Sequence, residues 1–445
     1  EMTSVSPADI AKLVPEFSVF TAGYMLRDPA HQQKVFSGPI GAELFKTVAD
    51  KMEVTILSTC YLGTRQVNLR EVRNVKTPAD LKGIKLRMPG TKEWLFLGEA
   101  LGATAIYLNP IHLAWTNHKY DALDYKAISP EFGNRQDFKN FAAQAHQRGL
   151  KVVLDGVFNH MGRNSSQFKD AMANPQSQWR NWFAIGSQYK GGARVWTGFQ
   201  NLPELNLENP AVRQYLYEAP DSVVRGYLKD GADGWRLDTA YELGLPYMRA
   251  LTQAARKEKK DAVVIGEIVN YPDQWLTAMD GVMNFTLREI ILGLAKSDLS
   301  PTAAARMTER LISDAGIEPM LKSWTVIDNH DIPRIATQLP NVQQRKFVQS
   351  LQFTLPGSPN VYYGSEVGMT GGGDPENRNP MRWDWVSADH PEMVWMKKLI
   401  ATHQQNKALR VGNFRRIESE KLFAFERYTH KTLDTRLVLA NPSLS

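Results

Sequence analysis

From about residue 104 onward, short runs of β-branched and other apolar residues alternate with longer helical stretches. Most of these runs end in polar or charged residues, and such alternation predicts parallel βαβ units. The predicted strands are Thr104–Leu108, Lys151–Leu154, Gly234–Leu237, Ala262–Gly266, Gly281–Phe285, Trp324–Ile327 and Asn360–Tyr363. Seven such strands predict one α/β domain of the (β/α)₈ TIM barrel type, with one strand not identified.

Three other segments depart from this alternation. A long irregular stretch, about residues 161–229, is rich in Asn, Gln, Trp and Gly, and its length predicts an insert with a functional role. Residues 413–445 alternate apolar and polar positions, which predicts the start of a C-terminal antiparallel β domain that is cut short. Residues 1–103 predict an α/β fragment: a helix over 34–51, a strand over 54–63, and a turn followed by a strand over 76–90.

Composition narrows the function classes. The 445 residues are 43% hydrophobic and 22% charged, as in a soluble globular protein, and one cysteine, Cys60, excludes an internal disulfide. The net charge of +6 comes without a long basic run, which argues against nucleic-acid binding. We also predict no membrane span, because no window of about 18 apolar residues occurs. The N-terminus begins with Glu and shows no signal-peptide pattern, so the compartment stays open between a bacterial cytoplasm and periplasm.

Carboxylates stand where several of the predicted strands stop. The strand ends read LDGVFNH (154–160), DGWRLDTA (233–240), VIGEI (264–268) and VIDNHD (326–331). Chemistry in a barrel lies at these ends, so we expect Asp238, Glu267 and Asp331 to converge on one mouth. Arg236 lies two residues before Asp238 and points to the same face of the strand, where its cation is expected to hold Asp238 ionised.

Paired carboxylates in a cleft are what glycoside hydrolysis requires. One must be ionised to attack or stabilise a cation, and the other must stay protonated to donate to the leaving oxygen. Each residue alone also has a structural interpretation, because an Asp at a strand end is commonly a helix N-cap. Four such ends in the right order favour a catalytic site over four separate caps.

Together these motifs resemble the signature regions of the α-amylase superfamily, glycoside hydrolase family 13, over about residues 104–445. The resemblance implies a barrel with a B domain after its third strand, and a retaining mechanism with a β-glycosyl-enzyme intermediate. It implies that Asp238 is the nucleophile, Glu267 the general acid/base and Asp331 the transition-state stabiliser, with Arg236 supporting the nucleophile. His160 and His330 would bind the sugar in the cleavage subsite, and Tyr120, in NHKYDALDY, would stack under it; core packing is the alternative for Tyr120.

Further motifs resemble the neopullulanase and cyclomaltodextrinase branch of that family. They are LPELN (202–206) and GMTGGGDPENRNPMRWD (368–384). The resemblance implies that Asp374 and Arg378 bind the next sugar and that Glu242 contacts the leaving-group side; a turn residue is the alternative for Asp374. The implied substrates are maltooligosaccharides, cyclodextrins or pullulan. Hydrolysis and glycosyl transfer share these residues, and the preference between α-1,4 and α-1,6 bonds depends on the shape of the cleft.

No cofactor is required by this interpretation. Asn159 matches a calcium ligand of many amylases, but Tyr241 and Glu242 stand where calcium-binding members usually have Lys and His. We therefore expect Asn159 to order the loop beside His160, and we predict no metal site. His and Cys spacing of the zinc-site kind is absent from the sequence.

Residues 1–103 resemble a different family, the solute-binding proteins of TRAP transporters. The matching text is HQQKVFSGPIGAEL (31–44), GTRQV (63–67) and KTPADLKGIKLRMPGTKEWLFLGEALGA (76–103). By resemblance Arg87 would clamp a ligand carboxylate; an ordinary exposed cation is the alternative. The family's first barrel strand is not recognisable, and Val54–Cys60 or Ile84–Met88 could replace it. The alternative to an enzyme is thus an inactive sugar- or carboxylate-binding fusion or chimera; the oligomeric state stays open.

Overall fold

A computed structural model describes residues 29–52, 54–56 and 101–443, together with the single positions 10, 14 and 16. The chain divides into two compact units, Glu1–Leu86 and Arg87–Ser445. Cys60, Arg87 and the predicted strand Ile84–Met88 lie outside the described residues. Of the predicted strand Val54–Cys60, positions 54–56 are described, and they are not in a strand.

The described strands fall into one large sheet and two small ones. In chain order they are β1 (Ala105–Leu108), β2 (His112–Ala114), β3 (Ala122–Ile128), β4 (Lys151–Gly156), β5 (Gly234–Leu237), β6 (Val263–Ile268), β7 (Gly281–Asn284), β8 (Trp324–Thr325), β9 (Ser358–Pro359), β10 (Asn413–Ile417), β11 (Phe423–Tyr428) and β12 (Arg436–Ala440).

Helices separate most of these strands. They are α1 (Pro29–Phe36), α2 (Pro39–Met52), α3 (Arg135–Gln147), α4 (Ser166–Ala173), α5 (Pro210–Arg213), α6 (Val223–Lys229), α7 (Ala240–Leu243), α8 (Leu245–Glu258), α9 (Phe285–Ala295), α10 (Pro301–Ala315), α11 (Ile317–Lys322), α12 (Ile335–Gln338), α13 (Val342–Thr354), α14 (Pro391–Gln405) and α15 (Lys407–Val411). None of the described helices combines the length and the apolar character needed to cross a bilayer.

The N-terminal unit contains a helical pair where the sequence predicts one helix over 34–51. The interruption falls at Ser37–Gly38, because Pro39 cannot donate to the preceding turn and instead starts α2. The rings of Phe36 and Phe45 stack across the break at 5.8 Å.

The large sheet is parallel and has the order β1-β4-β5-β6-β7-β8-β9. The prediction of a parallel α/β domain is confirmed, and within residues 101–443 the sheet is an incomplete barrel of seven strands. In that part of the chain β1 and β9 each pair on one side only. The core between sheet and helices is apolar, and residues such as Val152, Leu237 and Val264 have no exposed surface.

The seventh strand is predicted at Asn360–Tyr363, but the observed strand, β9, begins two residues earlier, at Ser358. The pairing with β8 is made by Ser358 and Pro359, and the amide of Asn360 closes the ladder on the carbonyl of Thr325 at 3.1 Å. The chain then turns, because the guanidinium of Arg334 packs 4.5 Å from the centres of both following tyrosine rings. The apolar tyrosines are thus part of a cation–π contact and not of the sheet.

The two flanking segments have different structures. Residues 161–209 hold α4 and several short 3₁₀ turns, and residues 210–229 form helical segments, with Val223, Val224, Tyr227 and Leu228 buried. The C-terminal strands β10, β11 and β12 form an antiparallel sheet, as predicted, and its phenylalanines Phe414, Phe423 and Phe425 join the core beside α10. The predicted domain boundaries at 103 and at 161–229 stay predictions.

Candidate active site

Two predicted acids are neighbours because their strands are neighbours. Asp238 follows β5 directly, and Glu267 is the fifth residue of β6, which pairs with β5 in parallel register. Asp238 is 6% exposed, and the side chain of Glu267 is 12% exposed. The carboxyl ends of parallel strands meet at one edge, so the sheet alone brings these two carboxylates together.

A single buried guanidinium joins the acids. Arg236 has no exposed surface; its Nη1 donates to Asp238 Oδ1 at 2.8 Å and its Nη2 lies 2.9 Å from Glu267 Oε2. The same Nη1 donates to both oxygens of Asp155, at 2.9 and 3.1 Å. One cation therefore serves three carboxylates, where the sequence analysis predicted one.

Asp155 is the main residue that sequence reasoning missed. It is the register partner of Arg236 across β4 and β5, and its Oδ2 also accepts hydrogen bonds from the hydroxyls of Tyr107 (2.6 Å) and Tyr120 (2.9 Å). The signal was present, because Asp155 opens the motif DGVFNH at the end of β4. It is the fourth strand-end carboxylate of the site.

The charge balance around Arg236 differs from the expectation. Burial raises the pKa of Asp238 well above its usual range; Arg236 opposes this effect, while the charges of Glu267 and Asp155 reinforce it. Arg236 favours the ionised form of Asp238, in the direction that the sequence predicts, but burial and the neighbouring carboxylates outweigh its effect on the pKa. Three carboxylates thus face one cation, and the protonated form of Asp238 is favoured.

The backbone between the two acids is held in a rare conformation. Thr239, directly after Asp238, has φ = +41°, a left-handed value that is uncommon for a β-branched residue. Its amide donates to Glu267 Oε2 at 2.9 Å, so the same oxygen has a hydrogen bond from Thr239 and an ion pair with Arg236. Strain of this kind is typical of functional sites, where surrounding contacts hold it in place.

Asp331 lies in the loop after β8 and has its own cationic partners. His330 Nε2 is 3.0 Å from Asp331 Oδ2, and Arg378 Nη2 is 3.0 Å from Asp331 Oδ1. Burial acts to raise the pKa of Asp331, but the hydrogen bond from His330 and the charges of His330, Arg236 and Arg378 outweigh it and lower the pKa to about 2. Asp374 Oδ1 lies 3.5 Å from Arg378 Nε, and the binding of the next sugar by these two residues stays a prediction.

The aromatic and imidazole residues of the predicted subsite are also assembled. The Tyr120 ring stacks on His330 with centroids 5.6 Å apart and planes at 10°, and its hydroxyl lies 2.6 Å from His330 Nε2. His160 Nε2 lies 3.1 Å from the carbonyl of Tyr120. Burial lowers the pKa of His160 to about 4, so its ring is neutral at neutral pH and carries one N–H donor.

Glu242 lies apart from this cluster. It sits on α7 and is exposed to solvent, and no bond recorded for the described residues joins it to the other predicted site residues. Its proposed contact with the leaving-group side therefore stays a prediction.

Two aromatic residues of the insert extend the site. The Trp196 ring stacks on His160 at 5.4 Å, and the Phe199 ring stacks on Trp196 at 5.7 Å. Phe199 is 54% exposed at the outer end of this strip. The intervening turn is strained, since Thr197 has φ = +43°. Only the compositional bias of the insert towards Trp indicated these residues.

A large cavity of about 2050 Å³ adjoins the site. Residues from β1 and from the β9 region line it, together with His330, Asp374 and Arg378. Asp238 and Glu267 are not among the lining residues, so we place the chemistry by the carboxylate geometry and not by the cavity.

Asn159 is the residue on which the calcium alternative depends, and that alternative stays untested. Asn159 is buried, and its Nδ2 lies 3.3 Å from His160 Nδ1, which fits the loop-ordering role predicted for it. In the described part of the chain no group of three or more His, Cys, Asp or Glu side chains could hold a metal ion. The chemistry proposed for this site uses no metal ion.

The low pKa of Asp331 predicts a pH-dependent contribution to stability. Its folded-state pKa of about 2 lies below the ordinary value of about 3.9. The stabilisation is therefore present above about pH 4 and is lost as the pH falls towards 2. The difference in unfolding free energy between the native protein and Asp331→Asn should shrink between pH 5.5 and pH 3 in urea titrations. A constant difference would contradict the pairing of Asp331 with His330 and Arg378.

The fold and the site define a class of protein: an α/β barrel with an acidic cluster around one arginine at the carboxyl ends of its strands. Residues 73–429 match the model of the alpha amylase catalytic domain, so the chain belongs to the alpha-amylase family. Residues 1–128 match the model of bacterial extracellular solute-binding proteins, family 7, and the two matches overlap over 73–128. Both resemblances predicted from the sequence are confirmed.

Named relatives place the chain in one branch of that family. It is 33% identical to neopullulanase 2 of Thermoactinomyces vulgaris over 78% of this chain and 60% of that protein. It is 35% identical to a cyclomaltodextrinase of Geobacillus thermopakistaniensis over 70% of this chain and 54% of that protein. The chain thus spans between half and two thirds of the length of these relatives.

A solved structure agrees with these comparisons. The cyclic alpha-maltosyl-(1→6)-maltose hydrolase of Arthrobacter globiformis is 31% identical, with a TM-score of 0.72 over 77% of this chain and 79% of that one. The same hydrolase, in complex with cyclic alpha-maltosyl-(1→6)-maltose, matches with a TM-score of 0.72.

Proposed function

We propose that the chain is a glycoside hydrolase that cleaves α-glucosidic bonds in maltooligosaccharides, cyclodextrins or related α-glucans with retention of configuration. The observation that carries the proposal is the binding of Asp238 and Glu267 to one guanidinium at the barrel mouth. Retaining enzymes hold their two carboxyl groups about 5–5.5 Å apart, and inverting enzymes hold them farther apart. Asp238 and Glu267 contact neighbouring nitrogens of the same guanidinium, and this arrangement favours the closer spacing of the two carboxyl groups.

The first chemical step assigns one role to each acid. Asp238 attacks the anomeric carbon as the bond from that carbon to the leaving oxygen breaks, and Glu267 delivers its proton to that oxygen. A β-glycosyl ester on Asp238 results. In the second step water attacks the same carbon, Glu267 takes the proton from the water, and Asp238 leaves as a carboxylate.

The protonation state of the cluster has to change for this chemistry. Asp238 must be ionised and Glu267 protonated, whereas burial favours the protonated form of Asp238 in the unliganded site. The proton favoured on Asp238 supplies what the general acid needs once it moves to Glu267. Asp331, with its pKa of about 2, is ionised throughout and can stabilise the oxocarbenium-like transition state.

Substrate binding follows from the rings around the acids. Tyr120, stacked on His330, offers a platform for the sugar in the cleavage subsite, and His160, whose Nε2 lies 3.1 Å from the Tyr120 carbonyl, borders the same platform. The strip from His160 through Trp196 to Phe199 supplies flat apolar surface for further glucose units. The printed names of the relatives support α-glucans as the substrate class.

A second candidate function rests on the open sheet. Within residues 101–443 β1 and β9 each lack a second partner strand, and residues 1–128 match a solute-binding family. A binding protein for sugars or small carboxylates, without turnover, would fit these two observations. Calorimetry with maltotriose and with small organic acids separates the candidates, since heat of binding without release of reducing sugar would favour the second.

The role of Glu267 predicts a substrate-dependent loss in the Glu267→Gln variant. Glutamine is nearly isosteric but cannot donate a carboxyl proton, so bonds with poor leaving groups suffer most. We expect a loss of about 10²–10⁴-fold on maltotriose and a much smaller loss in the first step on an aryl α-glucoside. Equal losses on both substrates, with glycosylation rate-limiting, would contradict the assignment. A small loss on both would move the acid to another residue.

A further inference from the structure

A buried asparagine holds the loop that carries two of the site residues. Asn377 has no exposed surface, and its Nδ2 donates to the carbonyls of His330 (2.7 Å) and Ile332 (3.2 Å). These carbonyls lie on either side of Asp331. The amide thus fixes the backbone before and after the predicted transition-state stabiliser.

Two other contacts complete the hold on this loop. Asn329 Oδ1 accepts from the amides of Asp331 (2.9 Å) and Ile332 (3.2 Å), which closes the inside of the turn. Arg378 Nε donates to the carbonyl of His330 at 2.8 Å while its Nη2 reaches Asp331 itself. Asn377 and Arg378 lie in one short 3₁₀ turn, Glu376–Arg378, and both therefore bind the loop from the same side of the chain.

The 3₁₀ turn is itself anchored to the end of the same loop. The hydroxyls of Tyr362 and Tyr363 donate to the carbonyls of Asn377 (3.1 Å) and Asn379 (2.7 Å). Both rings pack on the guanidinium of Arg334, which has no exposed surface and ends the loop that starts at Asn329. The contacts close a ring from the loop through Arg334, the tyrosine pair and Asn377 back to the loop.

We propose that Asn377 is a positioning residue that sets the place of Asp331 and His330 through their backbone. The proposal rests on the proposed function, because it assigns Asn377 a role in that reaction. An amide suits the place because it donates twice with neutral charge. An aspartate of the same shape would turn acceptors towards two carbonyls, so it would lose both hydrogen bonds and bury a charge.

The Asn377→Asp variant tests this role with little change in volume. We expect kcat on maltotriose to fall about 10–100-fold with KM within about threefold, since a displacement of about 1 Å can cost 10²-fold. Asn379→Asp is the matched control: it makes the same chemical change two residues away, and its activity should stay within about twofold of the native protein. Tyr363→Phe, which removes the hydroxyl that donates to the carbonyl of Asn379, is the milder variant if Asn377→Asp does not fold, and it should lower kcat in the same way by a smaller factor.

A double-mutant cycle separates positioning from general destabilisation. In the Asp331→Asn background, Asn377→Asp should lower kcat less than threefold further, because the group that it positions is already neutralised. Multiplicative losses would show that Asn377 acts on the whole fold and would overturn the proposal.

Amide hydrogen exchange gives a readout that needs no activity. Exchange in peptides covering 329–334 should speed up at least about tenfold in Asn377→Asp and stay unchanged in Asn379→Asp. If the native protein releases no sugar, the proposed function fails while exchange still decides the positioning role. Unchanged exchange in both variants would overturn it.

Discussion

Asp238→Asn is expected to lower kcat on maltotriose by on the order of 10⁴-fold or more. The amide keeps the shape of the side chain and its contact with Arg236 but cannot form the glycosyl ester. The variant should still fold, because burial already favours the uncharged form of the side chain at this position. The measurements are steady-state release of reducing sugar and thermal unfolding.

Azide distinguishes a lost nucleophile from a distorted site. Added to Asp238→Asn with an activated aryl α-glucoside, azide can attack the anomeric carbon from the face that the carboxylate has vacated. The expected product is the β-glucosyl azide, with phenolate released at a restored rate. Asp221→Asn, a change at a largely exposed aspartate, is the control and should keep native activity. Undiminished activity in Asp238→Asn would refute the assignment of Asp238.

Arg236→Met is expected to cost stability as well as activity. The substitution removes a fully buried cation and leaves Asp155, Asp238 and Glu267 without their shared partner. Breaking such a buried ion pair typically costs about 3–5 kcal/mol. The unpaired carboxylates then take up protons, so the free-energy difference from the native protein should grow as the pH rises from about 4 to 8. Urea unfolding at several pH values measures it.

A second substitution tests the cause. Adding Asp155→Asn to Arg236→Met removes one of the three buried negative charges and should recover part of the lost stability at pH 8, with little effect at pH 4. Arg416→Met, at an arginine whose partners are largely exposed, is the control and should change stability far less. No recovery in the double variant would show that lost packing, and not charge, explains the defect.

The parallel sheet was predictable because its strands are short apolar runs that end in polar residues. Six of the seven predicted strands overlap the observed ones. The seventh, Asn360–Tyr363, does not, because Tyr362 and Tyr363 pack on Arg334 and not in the sheet. The first barrel strand could not be predicted from residues 1–103, because their pattern belongs to another family. The break at Gly38–Pro39 was visible in the sequence as a Gly-Pro pair.

The site residues were predictable where their place depends on the position along a single strand. Asp238, Glu267 and Arg236 are placed by position on β5 and β6, and the structure brings them together. The raised pKa of Asp238 was not predictable, because it depends in part on Asp155, which reaches Arg236 from a third strand, β4. The hydrogen bonds from Asn377 to the loop around Asp331 were not predictable for a similar reason, since they join residues 45 or more positions apart.

The central claim is retaining hydrolysis of an α-glucosidic bond by this chain. Proton NMR of maltotriose incubated with the native protein, recorded within the first minutes before mutarotation, tests it most directly. The account predicts new reducing ends that appear first as the α-anomer, and none with Asp238→Asn. Initial appearance of the β-anomer, or no release of sugar from maltotriose, cyclodextrin or pullulan, would contradict it.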